Sequence, residues 1–263
     1  MADMNTAGKV IAGWRALIVV VVMACAGCVV LDPRGEVNGL MAEGQQLYSA
    51  QRFDEAIARF HAAAARDPGN YAAHAWLARA FMARGAWPDA VISARKAFEL
   101  SRGAPDVMPV LLEALLGGGN DALARGSFVE SIGYLGEYLR HQPTNIRAWI
   151  TVGRAYAGNR QFMDALGALR KALEMGTAGP ERTEALQSML GLGRQALNDR
   201  DYGSAINLLR EYVKFNSNDW SAYLELGKAY LQSGSLRDAL GAFGKVLELN
   251  PRNAEALKFL QSR

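Results

Sequence analysis

Apolar residues recur along this chain at helical spacing, and the spacing itself recurs. In the segment WSAYLELGKAYLQSGSLRDALGAFGKVLELNPRN, Trp220 to Asn253, the residues Tyr223, Leu226, Gly227 and Tyr230 stand at i, i+3, i+4 and i+7, one face of a helix. Gly234 then gives a turn, Ala239, Phe243 and Val246 mark the face of a second helix, and Pro251 ends it. Small residues at Gly227 and Ala239 predict two antiparallel helices in close approach, with aromatic rings filling the layer between them. The same frame fits residues 37–70, 71–104, 112–145, 146–179 and 186–219. Residues 131–174 overlie 205–248 at an offset of 74 without a gap, with 16 of 44 positions identical, and residues 56–99 join the frame more weakly. A fixed period of this size predicts one supersecondary unit stacked into a solenoid with a continuous core.

Some positions depart from the pattern. Glu43 occupies a normally apolar place, and Ser131 stands where the other units favour Ala. Tyr138 and Tyr212, equivalent in the long repeat, replace a small residue of the second helix and are expected to widen alternate helix pairs. Thr177 and Ser217 stand where Pro closes other units. Pro105–Leu111 and Pro180–Ala185 fit no unit. A first-turn Pro beside Asp106 or Glu181 suits a helix start, so both are expected to extend the following first helix. Gly117–Gly118–Gly119 predicts a soft or kinked helix, because each Gly weakens a helix by about 0.8–1 kcal/mol relative to Ala. Residues 254–263 predict an amphipathic capping helix with Ala256, Leu257 and Leu260 turned inward.

A 34-residue helix–turn–helix with these spacings resembles the tetratricopeptide repeat, over most of the chain. The resemblance implies an all-α fold, a right-handed superhelix (α-solenoid) of six helix-turn-helix repeats plus a C-terminal capping helix. It also implies that the first helices line a concave groove. One inward position then holds Gln45, Arg79, Asn120, Arg154, Arg194 and Lys228, which are cations or amides and never acids. Four residues earlier come Met41, Ala75, Leu116, Ile150, Leu190 and Leu224. Residues four apart are neighbours on a helix, so an apolar row is expected beside a basic one. Such a groove suits a protein or peptide partner that alternates apolar side chains with carboxylates. The alternative is that the cations only solvate the groove and pair with neighbouring acids. The Lys/Asn clamp with which chaperone-binding members hold a C-terminal carboxylate is absent. Trp76, Tyr48 and Met82 are either an aromatic anchor for a ligand or ordinary packing between helices.

The net charge of +3 and the lack of a Lys/Arg cluster argue against a nucleic-acid partner. The N-terminal residues change the picture more. Lys9 and Arg15 precede the apolar run Ala16–Gly27, and Ala26–Gly27–Cys28 resembles a bacterial lipobox, with Cys25 in place of the usual branched residue. Residues 1–28 are therefore expected to be a lipoprotein signal and anchor, acylated at Cys28, with Cys25 as the fallback. An uncleaved inner-membrane anchor over Ala16–Leu31 is the alternative. Resemblance to lipoproteins of diderm bacteria makes Val29, in place of Asp, a signal for the outer membrane, with the repeats facing the periplasm. Residues 29–36 are expected to be a linker reaching at most ~28 Å.

Chemistry is not indicated. His61, His74 and His141 lie in separate units without Cys nearby, so no metal is expected. Gly117–Gly119 lacks the Lys–Ser/Thr of a phosphate loop, no Ser has a His partner in sequence context, and no cofactor or enzymatic activity is expected. Size, anchor and repeat number resemble outer-membrane tetratricopeptide lipoproteins of the Flp and type IV pilus-assembly kind. That implies a non-enzymatic scaffold for a pilus, secretion or outer-membrane complex. The alternative is an adaptor that recruits peptidoglycan hydrolases or proteases.

Overall fold

The structure, a computed structural model, describes residues 33–176 and 178–261. These residues form thirteen helices and no strand. The first helices of the successive pairs are α1 (Pro33–Ser49), α3 (Tyr71–Arg84), α5 (Met108–Ala124), α7 (Ile146–Gly158), α9 (Pro180–Asn198) and α11 (Trp220–Gln232). Their partners are α2 (Phe53–Arg66), α4 (Trp87–Leu100), α6 (Phe128–His141), α8 (Phe162–Met175), α10 (Tyr202–Phe215) and α12 (Leu236–Leu249), and α13 (Ala254–Gln261) closes the array. Every helix packs on the one before it and the one after it, so the architecture is an all-α solenoid.

Close approach within each pair has a direct cause. A Cβ added to Gly44, Gly119, Gly193 or Gly227 would lie 2.5, 2.6, 2.8 or 3.0 Å from Phe60, Leu135, Leu209 or Phe243, sixteen residues later on the partner helix. Gly153 and Leu169 repeat the relation at 3.1 Å, and Ala78 takes the place in the second pair, where it is fully buried. The turn between paired helices needs a left-handed residue. Gly85, Gly126 and Gly234 supply it at no steric cost, while Gln51, Arg160 and Arg200 adopt it at φ near +60°.

The core runs the length of the array. One apolar cluster extends from Val37 to Ala168 and a second from Ile150 to Ala242, and Trp149 and Tyr156 border both. At the end, Ala256 is fully buried and Phe259 packs at a tilt on Phe243 with ring centroids 4.4 Å apart. Phe259, which was not among the expected inward residues, supplies the largest side chain of the cap.

Several expectations need correction. Helix α1 begins at Pro33, so residues 33–36 of the expected linker are its first turn. Residues 180–185 do extend α9, but α5 starts only at Met108, with Pro109 in its first turn. Pro105–Val107 form a turn that sets Val107 against Ala75 and Ala97, where it is almost fully buried. The triple glycine lies within continuous helix. A Cβ at Gly117, Gly118 or Gly119 would strike Trp87, Tyr134 and Val91, or Leu135, so these residues admit α4 and α6 on both sides. Ser131 is fully buried, and its hydroxyl donates to the Gly119 carbonyl at 2.8 Å.

Tyr138 and Tyr212 act as clips. Each is buried, and its phenol oxygen meets the N-cap residue of the next first helix: Asn145 Nδ2 donates to Tyr138 at 2.7 Å, and Tyr212 donates to Asp219 Oδ2 at 2.8 Å. The same caps hold the helix starts, with Asn145 accepting from the Ala148 amide and Asp219 from the amides of Ser221 and Ala222. The ring that departs from the small-residue pattern thus ties adjacent repeats together.

Candidate protein-binding groove

The first helices form one wall. Each of α1, α3, α5, α7 and α9 touches the next first helix in line, whereas among second helices only α8 and α10 come that close. The inner side of the curve is therefore lined by first helices, and their side chains decide what it can hold.

Along that wall the polar row does not stand free. Arg154 pairs with Glu184 at 3.3 Å, Arg194 with Glu225 at 3.9 Å and Lys228 with Glu255 at 3.2 Å. In each case a cation on one first helix meets a carboxylate on the next first helix or, for Lys228, on the cap, and Arg147 adds a pair with Glu181 at 3.1 Å. The result is a ladder of exposed ion pairs that bridges repeats four to the cap. Arg79 lies instead over the ring of Trp76, 5.0 Å from its centroid. Asn120 and Gln45 are exposed at the same register. The structure thus takes the alternative in which the cations pair with neighbouring acids. Which acids these are was not legible, because the partners lie 27 to 34 residues apart, a separation that carries no pattern until the helices are stacked.

The apolar row is only partly accessible. Met41, Leu116, Leu190 and Leu224 are half-buried and line the wall, but Ile150 is 1% exposed and Ala75 6%. Ile150 belongs to the core, so it is withdrawn from the groove. Trp76 packs on Tyr48 edge-to-face at 5.5 Å and stacks on Phe60 at 5.6 Å, which makes it part of the junction of α1, α2 and α3. A half-buried indole capped by Arg79 still shows one side to the groove.

Another unanticipated side chain is Arg182. It donates to the carbonyls of Gly176 and Phe215, at 3.4 and 3.2 Å, so it fastens the ends of α8 and α10 to the start of α9. At the far end of the groove a cleft of about 680 Å3 opens among the ends of α9 and α11, the start of α10, and α12 and α13. Its lining includes Leu231, Phe243 and Phe259 with Arg200, Lys228 and Lys258 around them.

His61 and His141 lie on second helices in packing roles, and His74 lies on α3. His61 meets the edge of Phe81 and His141 that of Phe98, each at 6.0 Å. Burial is the main cause that holds the His74 pKa below its usual value. Among the described residues no group of three or more His, Cys, Asp or Glu is arranged to hold a metal ion. Cys25 and Cys28 lie outside the described residues.

Models of the tetratricopeptide repeat match residues 47–92 and 196–262, and residues 150–219. The chain belongs to the tetratricopeptide repeat family. A curated relative, anaphase-promoting complex subunit 3 of Dictyostelium discoideum, is 27% identical over 127 residues, 48% of this chain. The chain spans about a tenth of that relative's length, 11%. Among solved structures, a chain in Naa15/Naa10 bound to HypK-THB aligns with a TM-score of 0.53 at 15% identity, over 86% of this chain and 33% of that one. A tetratricopeptide repeat protein from Parabacteroides merdae aligns at a TM-score of 0.46 and 18% identity, over 81% of this chain and 80% of that one. At these identities the structural likenesses show the fold alone. The tetratricopeptide fold is that of a scaffold for protein–protein contacts, and the groove of first helices is where such contacts are expected.

Proposed function

We propose that this chain is a non-enzymatic, membrane-anchored scaffold in the bacterial periplasm, which holds protein partners in its groove during assembly of a pilus, secretion or outer-membrane complex. One observation carries the binding part: an inner wall of first helices with half-buried Met41, Leu116, Leu190 and Leu224 beside exposed polar side chains. Such a wall offers apolar area for affinity and hydrogen-bonding groups for register. The curated relative is by name a subunit of a multi-protein complex, which agrees with a scaffolding role.

The anchor rests on sequence. Lys9 and Arg15, the apolar run Ala16–Gly27 and Ala26–Gly27–Cys28 support acylation at Cys28 and an outer-membrane address, with an inner-membrane anchor as the rival. Among the described residues no helix is long and apolar enough to cross a membrane. Palmitate labelling of wild type, Cys28→Ala and Cys25→Ala tests this part: label lost only in Cys28→Ala supports it, and label retained in both variants overturns it.

Site-specific photocrosslinking from Leu116 and Leu190 in intact cells tests the groove. Capture of a secretin, pilus subunit or outer-membrane assembly factor supports the scaffold, and capture of a peptidoglycan hydrolase replaces it with the adaptor reading. Equal capture from exposed convex positions such as Gly133 removes the groove as the binding surface.

A further inference from the structure

In the middle of the groove, the cations of the inner wall are matched by carboxylates of the next repeat. The C-terminal cleft is different. Its rim carries Arg200, Lys228 and Lys258 against a single carboxylate, Glu255. Lys228 and Glu255 pair with each other, and the acids that flank Arg200 are engaged elsewhere, Asp199 with Arg160 and Asp201 with the Ser204 amide, so among the described residues Arg200 and Lys258 have no carboxylate of their own. Among the described residues neither side chain makes a hydrogen bond or an ion pair. Beneath these cations lies apolar area contributed by the half-buried Leu197, Leu231 and Phe259.

Arg200 is also placed against local preference. It holds φ at +62°, in the turn position that Gly85, Gly126 and Gly234 occupy in other repeats. Arg160 shares this conformation, but its guanidinium reaches Asp199 at 3.8 Å, whereas that of Arg200 has no such partner. On the lip of the cleft, with no acidic partner among the described residues, the Arg200 guanidinium is available to an external anion.

We propose that this cleft seats an extended segment of a partner polypeptide in which a Leu or Phe is flanked by Asp or Glu. The proposal rests on the protein-binding reading above and names the chemistry of the bound segment. The apolar side chain enters over Leu197, Leu231 and Phe259, while flanking carboxylates meet Arg200 and Lys258 in charge-assisted hydrogen bonds. The Lys228–Glu255 pair crosses the site with both groups partly exposed, so it exchanges readily and frees Lys228 for the ligand. A basic segment is repelled by the same cations, which gives discrimination as well as attraction.

The test uses the full chain in mild detergent and two fluorescein-labelled twelve-residue peptides blocked at both ends. One alternates Leu and Phe with Asp; the other carries Lys in place of Asp. Fluorescence anisotropy is expected to show binding of the acidic peptide that weakens with salt, and no binding of the basic one. Affinity is expected to fall at least tenfold in Lys258→Glu and in Arg200→Gly. The second variant relaxes the turn, so its loss of binding cannot be ascribed to unfolding. Binding unaffected by both substitutions but abolished by Arg154→Glu overturns the cleft while leaving the groove in place. Equal binding of the basic peptide, or of neither up to millimolar concentration, also overturns the cleft; the crosslinking experiment then judges the groove separately.

Discussion

Tyr212 on α10 donates a hydrogen bond of 2.8 Å to Asp219, the residue that caps α11, and so fixes where one repeat ends and the next begins. Burial raises the Tyr212 pKa above that of a free phenol, and the bond to Asp219 raises it further. For Asp219, burial works to raise the pKa but is outweighed by hydrogen bonds from Ser221, Tyr212 and the amides of Ala222 and Ser221, and the net shift is downward. The equivalent pair Tyr138 and Asn145 makes the contact with the amide as donor. An unusual aromatic residue at a small-residue position is thereby explained by the next helix rather than by its own.

Removing the phenol hydroxyl should be measurable. Tyr212→Phe leaves Asp219 with its Ser221 and backbone partners but without one donor, and is expected to lower stability by about 1–2 kcal/mol in urea unfolding. Tyr202→Phe, at an aromatic with no such bond, provides the comparison. Equal effects of the two would show that the clip adds nothing.

The downward shift at Asp219 fixes the sign of a pH effect. Its folded pKa lies below its unfolded value, so the stabilisation is complete above the unfolded pKa of about 3.9 and disappears as pH falls through the folded one. Wild type should therefore exceed Asp219→Asn in stability at pH 6 by more than it does at pH 3. A constant difference across that range would contradict the assigned protonation.

Glycines should divide by surroundings. Gly119→Ala places a methyl against fully buried Leu135 and is expected to destabilise by about 1–3 kcal/mol, even though Ala is the better helix former. Gly133→Ala and Gly241→Ala meet nothing within 4 Å in exposed helix and are expected to stabilise by about 0.5–1 kcal/mol. Thermal unfolding of the three variants decides this, and a gain at Gly119 would show that the helices can separate freely.

The ion-pair ladder should matter little to stability. Arg194 and Glu225 are 3.9 Å apart with side chains 46% and 22% exposed, so a double-mutant cycle between them should give a coupling below about 1 kcal/mol. Arg154→Glu and Arg194→Glu can then be used to probe partner capture without unfolding the array. A coupling of several kcal/mol would make the ladder a structural element instead.

Arg200→Gly relieves a left-handed backbone at the cost of greater chain entropy in the unfolded state. A net gain of up to about 1 kcal/mol is expected. Lower stability in that variant would mean that the Arg200 side chain already has a stabilising partner within the protein.

Much of the array was legible in the sequence because its determinants are local. Helical spacing, the small residue that faces a large one sixteen places later, and the turn before each second helix all lie within one repeat of about 34 residues. The reading of Leu116, Leu190 and Leu224 as partly accessible follows from the same periodicity, since it fixes which side of each first helix turns away from its partner. What stacking decided could not be read that way. The burial of Ile150, the pairing of Arg154, Arg194 and Lys228 with acids of the following repeat, and the convergence of Arg200, Lys258 and Phe259 on one cleft all depend on how each repeat is rotated against its neighbour. That rotation comes from side-chain volumes meeting across two helices at once, such as Gly117 beneath Trp87. One-dimensional spacing records which residues a helix presents; only the packed superhelix determines which of them touch.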